Sequence, residues 1–153
     1  VTRRRAVLRT DGGSRGNPGP AGIGFVLEGE DGEVVRSGGR FIGEATNNVA
    51  EYRALIWGLE NAMEADVDLE RVYLDSELLV KQLNGAYKVK HANMKPLYAR
   101  ACDLLARLAP VEVVHVFRDQ NTAADALVNQ ALDAAADSGG AGGVDTHAQG
   151  SLF

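Results

Sequence analysis

A change of hydrophobic period near residue 47 constrains the fold more than any other feature of this chain. Residues 5–11, 21–28 and 33–42 alternate apolar and polar side chains, as half-buried strands do. From Asn48 to about Ala65 the repeat becomes helical, with Leu55, Leu59, Ala62 and Met63 on one face. A Gly- and Pro-rich link at 12–20 and the tight turn Glu30-Asp31-Gly32 separate the strands. Asn47 or Asn48 is placed to cap the helix. Further on, residues 70–75 read as a short apolar strand and 76–83 as a helix halted by Asn84-Gly85. Residues 93–108 read as a helix with Pro96 in its first turn, 111–117 as a last strand and 121–136 as a last helix. The order βββαβααβα implies an α/β domain, a mixed five-stranded sheet flanked by helices.

With 153 residues, 45% of them hydrophobic, one domain over residues 1–137 has enough apolar surface for a core. Residues 138–153 begin Ser138-Gly139-Gly140-Ala141-Gly142-Gly143, too poor in apolar side chains to fold, and read as a flexible tether. No apolar run approaches the ~18 residues of a membrane span. The start, Val1-Thr2-Arg3-Arg4-Arg5, has no apolar segment after its basic residues, so a cytoplasmic location is expected. The single cysteine, Cys102, excludes an internal disulfide and is expected in helix packing beside Leu104, Leu105 and Leu108.

The net charge of −5 argues against a nucleic-acid partner until it is located. Residues 1–118 hold all 16 Lys and Arg and 16 of the 21 Asp and Glu, so the excess of acid lies in the last 35 residues. Residues 78–107 carry Lys81, Lys88, Lys90, Lys95, Arg100 and Arg107 against Asp103 alone, a stretch able to meet a phosphate backbone. A solvated helix face explains the arginines nearly as well.

Four acids then stand out: Asp11 after Ala6-Val7-Leu8-Arg9-Thr10, Glu51 early in the long helix, Asp75 after Arg71-Val72-Tyr73-Leu74, and Asp125 early in the last helix. Two aspartates at strand ends and two acids in first helical turns can converge at one edge of an open α/β sheet. Each acid alone is accounted for by capping or solvation. As a set they would repel and raise one another's pKa, and hard divalent cations relieve that repulsion. Such a site favours phosphoryl chemistry.

The motifs around these acids resemble a known family. Asp11-Gly12-Gly13-Ser14-Arg15-Gly16-Asn17-Pro18-Gly19-Pro20-Ala21-Gly22 resembles the opening signature of type 1 ribonuclease H. Thr46-Asn47-Asn48-Val49-Ala50-Glu51-Tyr52-Arg53-Ala54-Leu55 resembles its second motif and Leu74-Asp75-Ser76 its third. Val116-Phe117-Arg118-Asp119-Gln120-Asn121-Thr122-Ala123-Ala124-Asp125-Ala126-Leu127 is similar to its fourth. The resemblance implies a ribonuclease H-like fold and endonucleolytic hydrolysis of the RNA strand of an RNA–DNA hybrid, leaving 5′-phosphate and 3′-hydroxyl ends. It implies two Mg²⁺ ions, with Mn²⁺ as substitute, held by Asp11, Glu51, Asp75 and Asp125. By position, Asp11 would bridge both ions, Asp125 would hold the one that activates water, and Glu51 and Asp75 would serve the leaving-group side. Asn17, Asn47 and Asn48, with the backbone of Gly12, Gly13 and Ser14, would read 2′-hydroxyls, and Thr46 would belong to a DNA-phosphate pocket.

Two departures from the family matter. The long basic insertion of many members is reduced here to residues 84–92, leaving Lys88, Lys90 and Lys95 to grip the backbone. The mobile histidine that those members place before the last aspartate is absent; Arg118 is the candidate to assist phosphate or product handling, and His115 is expected to be structural. The ending Gln149-Gly150-Ser151-Leu152-Phe153 resembles the peptide by which bacterial replication proteins dock on the sliding clamp, with Gln149, Leu152 and Phe153 as anchors. An inert terminus and a truncated linker to a second domain are the alternatives. A monomer is expected. The competing functional reading is a hybrid-binding module with weak or no turnover; a DNA nuclease on the same fold lacks support from the paired asparagines.

Overall fold

The computed structural model describes residues 3–138 and 145–146. Three antiparallel strands open the fold: β1 (Arg5–Ser14), β2 (Gly19–Gly29) and β3 (Val34–Ala45). Helix α1 (Asn47–Glu64) leads to β4 (Asp68–Leu74), which pairs parallel to β1. Helices α2 (Glu77–Leu83) and α3 (Lys95–Leu108) precede β5 (Glu112–His115), parallel to β4. A 3₁₀ turn at Arg118–Gln120 enters α4 (Thr122–Asp137). The expected order is therefore the observed one, and the mixed sheet runs β5-β4-β1-β2-β3. A short sixth strand, β6 (Asp145–Thr146), falls where only a tether was expected and pairs antiparallel with Gly39 and Arg40 of β3. Residues 139–144 and 147–153, with the docking candidates Gln149, Leu152 and Phe153, lie outside the described residues. Among the described residues no helix is long and apolar enough to cross a membrane.

Alternation along β1 sends Ala6, Leu8 and Thr10 into one face of the sheet, where they are buried. There α1 lays down Tyr52, Leu55 and Leu59 against Leu8, Phe25, Leu27 and Val72. The opposite face is covered over β2 and β3 by α4, whose Val128, Leu132 and Ala135 meet Phe41. The Tyr52 hydroxyl donates to the buried Gln82 Oε1 at 2.6 Å and so ties α1 to α2. Cys102 is half-buried on α3.

Four local expectations are corrected. Thr46, not Asn47 or Asn48, caps α1: its backbone is extended and its hydroxyl accepts from the Val49 N–H at 3.3 Å. Glu51 consequently opens the second turn rather than lying in the first. Asp11 is not at the end of β1, because Gly12–Ser14 stay paired with β2 as far as Ser14↔Ala21; it lies two residues beyond the last pair of the shorter parallel ladder with β4. The last strand is also shorter than residues 111–117, since the chain turns at Phe117, whose N–H donates back to the Gln120 side chain.

Glycine decides how closely the helices approach. A Cβ on Gly12 would collide with the Ala50 carbonyl and stand 2.8 Å from the Glu51 nitrogen. A Cβ on Gly24, the partner of Asp11 across the ladder, would stand 2.8 Å from the Ala124 carbonyl oxygen. Gly12→Ala is expected to lower unfolding free energy by about 1–3 kcal/mol, as overpacking does, measured by urea titration. An unchanged midpoint and slope would contradict this account of the contact.

Candidate active site

Because β1 outruns β4, the chain leaving β4 brings Asp75 beside Asp11, two positions past the Arg9↔Tyr73 pair. Gly12 lets α1 descend until Glu51 reaches the same point, and Gly24 does the same for the start of α4 and Asp125. All four carboxylates line one cleft of about 260 Å³, with Gly12, Gly13, Ser14, Arg15, Asn47, Arg118 and Asn129 among its walls.

The electrostatics of that crowding are plain. Burial, then the charge of Asp75, then a hydrogen bond to Asp125 push the Asp11 carboxyl up from 3.8 to about 8. Burial also pushes Glu51 up from 4.5 to about 7, opposed by a hydrogen bond from Ser76 and by the Arg118 charge. Glu51 Oε2 is buried without a hydrogen-bond partner. An orphaned carboxylate oxygen beside three further carboxylates is an all-oxygen donor set that suits a hard divalent cation. Among the described residues no three His, Cys, Asp or Glu side chains close into a ready-made cage for one ion. The cleft is open, as suits ions that complete their shells with water and phosphate oxygens.

The asparagines form a rigid rim. Asn47 Oδ1 accepts from the Ser14 N–H at 2.9 Å and the Ser14 hydroxyl at 3.1 Å, while Asn17 Oδ1 accepts from the Asn47 N–H at 3.0 Å. Backbone donors thus fix both amide orientations and leave the NH₂ groups to serve as donors. Asn48, Lys88 and Lys90 do not line this cleft. They border a larger depression of about 520 Å³ with Tyr87 and His91. That depression is wider but holds no carboxylate, so the chemistry belongs to the smaller one. Thr46 serves as the α1 cap. His115 packs edge-on against Phe117, with ring centroids 5.4 Å apart.

Several contributors were not singled out from the sequence. Asn121, fully buried, donates from Nδ2 to the Thr10 carbonyl at 2.9 Å, and Arg9 donates to the Gln120 carbonyl at 3.2 Å. Together they bind the entry of α4 to β1 next to Asp11. Asn129 Nδ2 reaches the Asp125 carbonyl at 3.1 Å and Oδ2 at 3.3 Å. The i, i+4 spacing of Asp125 and Asn129 was the available signal.

The comparisons with known proteins accord with this geometry. A family model described as Reverse transcriptase-like matches residues 9–131. The chain belongs to the type 1 ribonuclease H family. It is 46% identical over 138 residues to a bifunctional protein of Mycobacterium tuberculosis, a match that covers 90% of this chain and 38% of that one. It is 47% identical over 123 residues to ribonuclease HI of Halobacterium salinarum, covering 80% and 62%. The chain thus spans under two thirds of the length of these relatives. The solved N-terminal RNase H domain of the mycobacterial protein, fused to maltose-binding protein, superposes with a TM-score of 0.84 at 45% identity, covering 89% of this chain and 99% of that one. LC11-RNase H1, solved in complex with an RNA/DNA hybrid, gives 0.80 at 46% identity, covering 86% and 99%.

The raised carboxyls fix a pH dependence for the metal-free ribonuclease H domain. Each acid contributes its full stability below its ordinary value, 3.8 for Asp11 and 4.5 for Glu51, and that contribution is lost as pH rises toward about 8 and about 7. In EDTA, Asp11→Asn is expected to melt near wild type at pH 4 and roughly 3–8 °C above it at pH 8, by calorimetry. A difference that does not grow with pH would sink this reading.

Proposed function

We propose that this chain hydrolyses the RNA strand of RNA–DNA hybrids endonucleolytically, leaving 5′-phosphate and 3′-hydroxyl ends. The observation that carries the reading is the convergence of Asp11, Glu51, Asp75 and Asp125 on one cleft rimmed by amide donors. Asp11, Glu51, Asp75 and Asp125 would hold two Mg²⁺, or Mn²⁺ in their place, and ions so held supply charge stabilisation and an activated water for in-line displacement at phosphorus. The orphaned Glu51 oxygen and the upward push on the Asp11 carboxyl from burial and its acidic neighbours support that occupancy.

The chain's own groups do the positioning. Asn129 steadies Asp125 by its hydrogen bond, and Ser76 caps α2 by accepting from Leu79 while donating to Glu51. The Asn17 and Asn47 NH₂ groups offer donors to the 2′-hydroxyl oxygens of an RNA strand in a shallow minor groove. Asn48 borders the depression with Lys88 and Lys90, which would take the DNA backbone, and Thr46 caps the helix that carries Asn48. The hybrid held by LC11-RNase H1 supports the substrate class. Arg118 lines the cleft and its charge acts on Glu51, so it would supply a cation for phosphate or product handling in the absence of the family's loop histidine.

Labelled hybrid, duplex RNA and duplex DNA, each with Mg²⁺, Mn²⁺ or EDTA, test the proposal. Cleavage is expected only of RNA in the hybrid and only with metal, and Asp11→Asn is expected to abolish it with the fold intact. Hybrid binding without cleavage in either metal would replace the enzyme with a binding module. Arg118→Ala is expected to lower kcat about 10–100-fold, the range for groups supporting a metal site; unchanged turnover would remove Arg118 from the site.

A further inference from the structure

Between the first strand and the second, the backbone is tightly closed. Arg15 N–H donates to the Pro20 carbonyl at 2.8 Å, Gly16 has a φ of +91°, and Gly19 packs directly on the Arg15 carbonyl. The turn therefore gives the Arg15 side chain a fixed point of departure, and the side chain lines the same cleft as the four carboxylates. Its Nη2 meets Asp133 Oδ1 at 2.6 Å, across 118 residues of sequence. Asp133 continues the α4 row Asp125, Asn129, Asp133, spaced i, i+4 and i+8, so the ion pair sits ~12 Å along the helix from Asp125.

Two features argue against a purely structural pair. The side chains are 45% and 66% exposed, and ion pairs so open to solvent contribute little to stability. Among the described residues Asp133 is also the only hydrogen-bonded partner of the Arg15 guanidinium, which has five donors in a planar fork. Charge completes the argument. The cleft holds four acids, and among its lining residues the only cations are Arg15 and Arg118. Arg118 acts on Glu51, while Arg15 is held against α4 about two turns beyond Asp125. The two guanidiniums thus act at different places in the cleft, and only Arg15 is displaced along α4 from the acids.

We propose that Arg15 is a phosphate ligand for the RNA strand away from the scissile bond, and that Asp133 holds its guanidinium ready and yields it to the incoming phosphate. The inference rests on the hybrid-cleaving reading above. Guanidinium matches phosphate bidentately, which an exposed carboxylate bonded through one nitrogen does not outbid.

A structural latch and a poised ligand differ in sign. If the pair only fastens the turn to α4, breaking it from either side has the same effect. If Arg15 binds phosphate, removing Asp133 frees the ligand whereas removing Arg15 deletes it. Steady-state cleavage of an RNA–DNA hybrid with Mg²⁺ over a series of salt concentrations reads this directly. Arg15→Gln is expected to raise KM about tenfold, to leave kcat within about twofold, and to flatten the log KM against log salt slope by about 0.7–0.9. Asp133→Asn is expected to lower KM about twofold with the wild-type slope. Arg15→Lys, which keeps the charge and loses the fork, is expected between wild type and Arg15→Gln, and guards against a misfolded glutamine variant. A KM that rises in Arg15→Gln and not in Asp133→Asn supports the proposal. An equal rise in both, or no rise in Arg15→Gln, overturns it. Wild type that neither binds nor cleaves the hybrid would instead overturn the functional reading itself.

Discussion

Everything at the site depends on backbone meeting backbone where a side chain is missing. Gly12 lies under Ala50 and Glu51, and Gly24, opposite Asp11 in the ladder, lies under Ala124. These contacts set α1 and α4 against the two faces of the same pair of strands at the same level. Were either helix held off by a methyl group, its acid would retreat from Asp11 and the packing beneath it would loosen. Stability and site geometry thus rest on the same close approach. Large aliphatic side chains fill the core, and the absence of side chains at Gly12 and Gly24 sets how closely the helices can seal it.

The crowding that results is costly in the absence of ligand. Asp11 and Glu51 are pushed toward their neutral forms, and Glu51 keeps a buried oxygen without a partner. A protein selected for stability alone would place hydrocarbon there. The surrounding hydrogen bonds are arranged to hold these acids in place rather than to neutralise them: Ser76 on Glu51, Asn129 on Asp125, and Asn121 bracing the start of α4 to β1. None of the three supplies a positive charge. Among the residues lining the cleft, the positive charge facing four acids comes from Arg15 and Arg118 alone.

The sequence made the strand and helix order legible because each period was sustained and each break carried glycine, proline or asparagine. The convergence of the acids was legible for the same reason: parallel pairing of the first and fourth strands puts Asp11 beside Asp75 whatever their exact ends. Boundaries were less legible. Thr46, Asn47 and Asn48 are all competent caps, and only the extended backbone at Thr46 selects one. The continuation of β1 through Gly12 and Gly13 was hidden by glycine's poor strand propensity, overridden here by pairing with β2. Asn121 with Thr10, and Arg15 with Asp133, join residues more than a hundred positions apart, and no local pattern announces such pairs. The separation of Lys88 and Lys90 from the carboxylate cleft was likewise invisible, since a basic stretch in sequence does not say which depression it borders.

The brace from Asn121 and Gln120 to β1 also makes the site depend on both ends of the described domain. The bonds that join the last long described helix to the first strand close loops of 111 residues. Asp11, Glu51 and Asp75 come from β1, α1 and the exit of β4, and Asp125 from α4, so the four-acid cleft requires that closure. Closing a loop of that length carries an entropy cost that non-local contacts must repay. Loosening α4 would take Asp125 and the Asn121 brace from the site together, so the cleft is lost as a unit rather than acid by acid.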